Sequence, residues 1–262
     1  MSPKRPRPPS VGRNESARKE LKYYGTAACL ALWRHRPQDL VRIYLEERCI
    51  PQFAPMLQWA AAKRRAYHLV SAEDLERLTQ SIHHQGVCVL AREQVTLSFE
   101  EWLPSLRQEE ARPLLVYLDG VENPHNLGAI LRTCAHFGVR YVLGMEERLP
   151  KPSPAACRVA EGGAEEVMPV YLKRPVRQLR ELQQQGYELI ASAAGQGGNL
   201  YRHRFRPASI VMLGNEVQGI HPHLLSAADR QLHIPGSGRV ESLNVSVAFG
   251  IIAGEYHRQC GA

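Results

Sequence analysis

The chain lacks any long run of hydrophobic residues. Its longest unbroken apolar stretch covers seven residues, 27–33, whereas a membrane-crossing helix needs about 18–20, so no membrane-spanning segment is expected. That stretch runs into Arg34, His35 and Arg36, a poor fit to a secretory signal. Cysteine is sparse and scattered. Six residues, at 29, 49, 88, 134, 157 and 260, form no CxxC pair, which argues against a zinc cage or a disulfide framework. The expectation is reduced, buried thiols in a cytoplasmic protein without a metal site. The common phosphate-binding glycine patterns are also missing. GQGGNL at 195–200 places Leu200 where GxGxxG needs glycine, PGSGRV fails likewise, and no GxxxxGK[ST] occurs. A Rossmann-type small-molecule methyltransferase or dehydrogenase is therefore disfavoured. No internal repeat is visible.

What is present is enough for two ordinary domains: 262 residues, 44% hydrophobic and 23% charged. The formal net charge of +7 points to a polyanionic partner, most often nucleic acid. The excess is concentrated at one end. Residues 1–22 hold seven basic side chains against Glu15 and Glu20, together with Pro3, Pro6, Pro8 and Pro9. Residues 1–21 read as a disordered basic arm suited to RNA or DNA contact.

Periodicity divides the rest. Residues 22–92 read as a small α/β domain. It has a helix in the apolar stretch after residue 23, a strand at 41–46 where Val41, Ile43 and Leu45 alternate, and a helix at 55–66 with Pro55 in its first turn. A short strand at 67–70 is followed by a helix capped by Ser71, with Asp74 at the capping-box position, and a strand at 86–91. His83 and His84 cannot share one face of a regular element, so a solvated loop is expected there. Residues 93–112 read as a linker with one short helix. Residues 113–262 alternate strands (114–118, 140–144, 167–171, 187–192, 209–213, 231–235) with helices (126–137, 176–185, 242–257), the first two helices closing at Gly138 and Gly186. That rhythm implies an α/β domain with a mostly parallel sheet covered on both faces.

Three loops at strand ends carry candidate chemistry, because parallel sheets bind ligands beyond the carboxyl ends of their strands. The first, LDGVENPHNLGAILRT (118–133), puts Asn126 at a helix start and Arg132 among Leu127, Ile130, Leu131 and Cys134. An arginine so flanked either holds an anion or snorkels to solvent. The second, IVMLGNEVQGI (210–220), leaves a buried strand through Gly214 and carries Glu216. The third, IPGSGRVESLNVSVAFG (234–250), places Ser242 at a helix entrance, where unpaired backbone N–H groups favour anions.

In this order the loops resemble the three sequence motifs of SpoU-type RNA 2′-O-ribose methyltransferases, of the SPOUT superfamily. The resemblance spans about 115–258 and rests on NPHNLGAILRTCAHFG, LGNEVQG and ESLNVSVA. Residues 22–91, ending in HHQGV, are similar to the ribosomal-protein-like substrate-binding domain that precedes many such catalytic domains. The resemblance implies a parallel sheet with a carboxyl-terminal trefoil knot, bound S-adenosylmethionine, structured RNA (tRNA or rRNA) as substrate, and a homodimer with its active site near the interface. It assigns backbone at Gly214, Ile234 and Leu243 to the cofactor. Arg132, Asn126, Glu216, Ser242 and Asn244 form the implied catalytic group, with Arg132 activating the ribose hydroxyl and Glu216 orienting Arg132. An RNA-binding protein that kept the fold and lost turnover is the alternative. Two stretches depart from the family pattern: Pro235-Gly236-Ser237-Gly238 stands where Pro-Met is common, and Glu161 and Gly162 stand where small hydroxyl residues are common.

Overall fold

The computed structural model describes residues 18–109, 111–149, 151–195 and 197–261. The basic arm therefore lies mostly outside the described residues. Its last positions do not: Glu20–Tyr24 form strand β1, paired antiparallel with β4 (Val87–Arg92). Arg18 donates to Asp39 Oδ2 (3.1 Å) and to the Glu93 carbonyl (3.1 Å). Gly25, at φ 89°, turns the chain between β1 and helix α1 (Thr26–His35). β1 is a strand the periodicity did not separate from the apolar stretch that follows it. Strand β2 (Leu40–Leu45) pairs antiparallel with β4 and parallel with β3 (Ala66–Leu69), giving a four-stranded sheet in the order β1-β4-β2-β3. Helix α2 (Ile50–Ala62) starts earlier than expected: Pro51 occupies its first turn and Pro55 lies inside it. Helix α3 (Ala72–Thr79) has the expected capping box of Ser71 and Asp74. The two histidines diverge. His83 is exposed, but His84 is buried and accepts from the Gly86 amide at Nδ1 (3.0 Å), so its loop is not simply solvated.

The second sheet has eight strands, all parallel, in the order β10-β12-β9-β11-β6-β7-β8-β5. They are β5 (Leu97–Ser98), β6 (Leu115–Asp119), β7 (Tyr141–Met145), β8 (Met168–Leu172), β9 (Glu188–Ser192), β10 (Gly198–Asn199), β11 (Ser209–Gly214) and β12 (Arg230–His233). Segment 93–112 is more than a linker with a short helix. It supplies β5, which pairs with β8, and helix α4 (Phe99–Arg107), which buries Phe99, Trp102, Leu103 and Leu106.

Alternation along β6 shows why both faces are covered. Val116 and Leu118 point into one apolar cluster with helix α5 (Pro124–His136) and helix α10 (Val245–Cys260). Leu115 and Tyr117 point into another, with α4 and helix α8 (Pro175–Gln184). Short helices α6 (Pro154–Val159), α7 (Gly163–Glu166) and α9 (Pro222–Leu225) complete the order. α6 and α7 pack on α5 and on the small domain's β1 and α1. A buried bidentate pair fastens the two units: Arg36 donates to both carboxylate oxygens of Glu165, at 2.7 and 3.0 Å. Five cysteines are buried, the sixth, Cys260, is half-buried, and all six are free thiols. Among the described residues no helix is long and apolar enough to cross a membrane.

Candidate active site

Strand order locates the site. The chain runs outward from β6 to β7 and β8, crosses to β9, and returns to insert β11 between β9 and β6. The carboxyl ends of β6 and β11 thus flank a point where the winding reverses, the usual place for a ligand crevice in an open parallel sheet. Asp119 and Gly214 end these strands side by side in register.

Two residues that sequence reasoning did not single out lock these ends together. Asp119 is buried and accepts twice, from Arg148 Nη1 (3.0 Å) and from the His221 amide (2.7 Å). Asn215 donates through Nδ2 to the Gly120 carbonyl (2.8 Å), and its Oδ1 accepts from the amides of Val217 (2.8 Å) and Gln218 (3.2 Å). A charged residue ending an otherwise apolar strand was the available signal for Asp119, since a buried carboxylate needs partners. The turn from Asn215 to Gly219 closes by two backbone bonds of 3.1 and 2.9 Å. It folds back so closely that a Cβ on Gly214 would lie 2.3 Å from the Gly219 carbonyl carbon and 2.4 Å from the Ile220 amide. Gly214 is therefore glycine for its own turn, whatever else its backbone meets.

Asn126 joins the three loops. It lies in the first turn of α5, which is capped by Asn123, and is buried. Its Nδ2 donates to Glu216 Oε1, and its Oδ1 accepts from Asn244 Nδ2 (2.9 Å). Asn244 caps α10, its Oδ1 accepting from the amides of Ser246 (2.9 Å) and Val247 (3.4 Å). Helix α10 thus begins at Asn244, not at Ser242, which stays exposed two residues before the cap. The expected catalytic group of five is accordingly only partly assembled: Asn126, Glu216 and Asn244 meet, while Ser242 and Arg132 do not join them. Of the three, Asn126 is buried and Glu216 and Asn244 are exposed.

Arg132 sits six positions after Asn126, roughly 9 Å along α5 and two-thirds of a turn around it. It is not buried among its hydrophobic neighbours. Leu127, Ile130, Leu131 and Cys134 form the buried stripe, and Arg132 lies off it with its side chain 60% exposed. Its ion-pair partner is Glu161 Oε2 at 3.5 Å, and not Glu216. Of the residues assigned to the cofactor, Gly214 ends β11, Ile234 directly follows β12 and is half-buried, and Leu243 is exposed. Residues 235–244 are exposed throughout, and among the described residues no backbone–backbone bond ties 235–243 to the rest of the chain. The Arg239 amide donates to Ser237 Oγ (3.4 Å), and a segment beside the switch point without backbone–backbone bonds fits a ligand that needs backbone partners.

Comparison with known proteins agrees with this geometry. The SpoU rRNA Methylase family matches residues 113–254, and the family described as RNA 2′-O ribose methyltransferase substrate binding matches 23–95. A protein of Escherichia coli O157:H7 named "Uncharacterized tRNA/rRNA methyltransferase YfiF" is 36% identical over 251 residues, covering 96% of this chain and 71% of that protein. The 23S rRNA (guanosine-2′-O-)-methyltransferase RlmB of Bordetella pertussis is 33% identical over 237 residues, 90% of this chain and 96% of that one. In fold, the SpoU methyltransferase AviRb of Streptomyces viridochromogenes, solved in complex with AdoMet, superposes with a TM-score of 0.74 at 18% identity, over 92% of this chain and 90% of that one. With a matched catalytic region, a matched substrate-binding region and the three loops joined through Asn126, this chain belongs to the SpoU rRNA methylase family.

Proposed function

We propose that this protein methylates a ribose 2′-hydroxyl in structured RNA, tRNA or rRNA, using S-adenosylmethionine. The observation that carries this reading is the Asn244–Asn126–Glu216 chain, which draws all three family loops to one switch point. The cofactor, when bound, supplies an electrophilic methyl group on a sulfonium. Backbone at Gly214, Ile234 and Leu243 would hold it, in and beside an exposed segment without backbone–backbone bonds.

The chain's residues then divide the remaining work. Asn126 and Asn244 are engaged with each other and with the α10 cap, so they fix the loops and do not reach for the ribose. Glu216 offers its outward carboxylate. Arg132 stabilises the alkoxide that develops as the 2′-hydroxyl loses its proton. It is not the base, because a guanidinium stays protonated in proteins; an RNA phosphate or water accepts the proton. Ser242, exposed ahead of the cap, is a substrate contact.

A homodimer belongs to the same proposal. Val217, 92% exposed, and Leu243 flank Glu216 and Asn244, and Val240 and Val247 extend an apolar rim around the cluster. Within one chain Asn126 faces Asn244 while Arg132 faces Glu161, on different sides of α5. In the proposed dimer, Arg132 of one copy serves the cofactor loops of the other. The trefoil knot, the division at 22–92 and 113–262, and a cytoplasmic location suited to six free thiols complete the reading.

The test is mass-spectrometric mapping of ribose methylation in total RNA with and without the gene. One or a few 2′-O-methyl marks should disappear with the gene and return with the wild-type chain. An unchanged methylation map alongside intact RNA binding would favour the alternative, an RNA-binding protein with the same fold.

A further inference from the structure

The partner of Arg132 is a residue of this chain's own making. Glu161 lies between α6 and α7 with φ 46°, in the left-handed region that a non-glycine residue occupies only at a cost. The position is imposed from the next residue. Gly162, at φ 92°, packs so tightly on α1 of the small domain that a Cβ there would lie 2.9 Å from Ala31 Cβ. The Arg36–Glu165 bonds hold the following turn to the end of the same helix. Glu161 is thus held by the small domain, and its carboxylate is aimed at Arg132.

The pair itself is loose. Nitrogen and oxygen are 3.5 Å apart, and the two side chains are 60% and 51% exposed. Such a pair contributes little, whereas a phosphodiester can take a guanidinium through two parallel charge-assisted bonds. Glu161, with Arg132 beside it, lines a groove between α1 and α5–α7 that also presents Arg34 and Arg158, neither with an ion-pair partner among the described residues. The groove's other charged groups are His35 and Glu166, which pair with each other at 2.8 Å.

We propose that Glu161 is a displaceable stand-in for an RNA phosphate: it occupies Arg132 in the RNA-free protein, and a phosphodiester of RNA lying in the groove between the domains replaces it. Glu161 thereby lowers affinity for RNA in general. This inference rests on the reading that Arg132 meets RNA.

Phosphate contacts do not depend on sequence, so an end-labelled RNA hairpin serves as probe in anisotropy titrations of the full chain. At low salt, Glu161→Gln should tighten binding about two- to fivefold, the range set by an exposed ion pair, and the gain should vanish at high salt. Glu161→Asp, which keeps the charge but shortens the reach, should show part of the gain. Glu161→Gly, which suits the left-handed backbone, should show it fully and raise the melting temperature. In an Arg132→Ala background the gain from Glu161→Gln should shrink. Weaker or unchanged binding by Glu161→Gln and Glu161→Gly would overturn the proposal, as would an equal gain with and without Arg132, since Glu161 would then act only as a general repulsive charge. If Arg132→Ala leaves RNA affinity untouched, the failure lies in the reading of Arg132 itself.

Discussion

Asn126 is buried with both ends of its amide engaged, which makes it sensitive to the smallest possible change. Asn126→Asp keeps the shape but sets a carboxylate oxygen where Nδ2 now donates to Glu216. Two carboxylates then share one site, and ionising both is disfavoured. The variant should be destabilised by about 1–3 kcal/mol at neutral pH, with the deficit shrinking as the pH falls and largely gone by roughly pH 4, as one carboxyl takes up a proton. Denaturant unfolding at the two pH values checks this; a deficit independent of pH would mean that the Asn126–Glu216 bond does not hold the loops. Arg132 shows at the same scale what a sequence hides and reveals. Its hydrophobic neighbours left open a held anion or a side chain reaching solvent; the buried positions 127, 130, 131 and 134 follow the helical period, 132 does not, and its exposed guanidinium faces the Glu161 carboxylate. The wheel was legible, and it decides between the two. The pairing of Arg132 with Glu161 was not legible, because the contact joins separate elements through a left-handed backbone that no local pattern announces.

Elements with strong end signals were read well. Ser71 and Asp74 cap α3 as expected, and Gly138 and Gly186 follow their helices with positive φ. Ser98 and Glu101 carry the same capping-box pattern at the start of α4, with Ser98 Oγ accepting from the Glu101 amide (3.3 Å) and Glu101 Oε2 accepting from the Ser98 amide (2.8 Å). That helix was anticipated only as a short one in a linker, since its charged surroundings masked Phe99, Trp102 and Leu106 as a buried stripe. Strand β1 was hidden because its last residues, Tyr23 and Tyr24, run into the apolar start of α1 with only Gly25 between. α6 and α7 are too short to show a period. Ser98→Ala should lower stability by about 1 kcal/mol, more visibly than Ser71→Ala, because α4 covers one face of the large sheet whereas α3 buries only Leu75. Thermal melts of the two variants measure this, and equal or absent losses would place α4 outside the cooperative fold.

At the scale of the whole molecule, the class of the large domain was legible and its order was not. Alternating strands and helices implied a parallel sheet, but the insertion of β11 beside β6 is a long-range pairing that periodicity does not encode. That pairing creates the switch point, and Asn126 then gathers residues up to 118 positions away. The family resemblance, resting on three loops in order, supplied what periodicity could not. The central claim is that this assembly transfers methyl groups to RNA with Arg132 acting on the transition state, and it is tested most directly on Arg132→Ala. Single-turnover methylation of RNA isolated from cells lacking the gene should slow by ~10²–10³, while calorimetry with S-adenosylhomocysteine shows cofactor affinity close to that of the wild type. Undiminished turnover, or loss of cofactor binding to the same degree as turnover, would contradict the account.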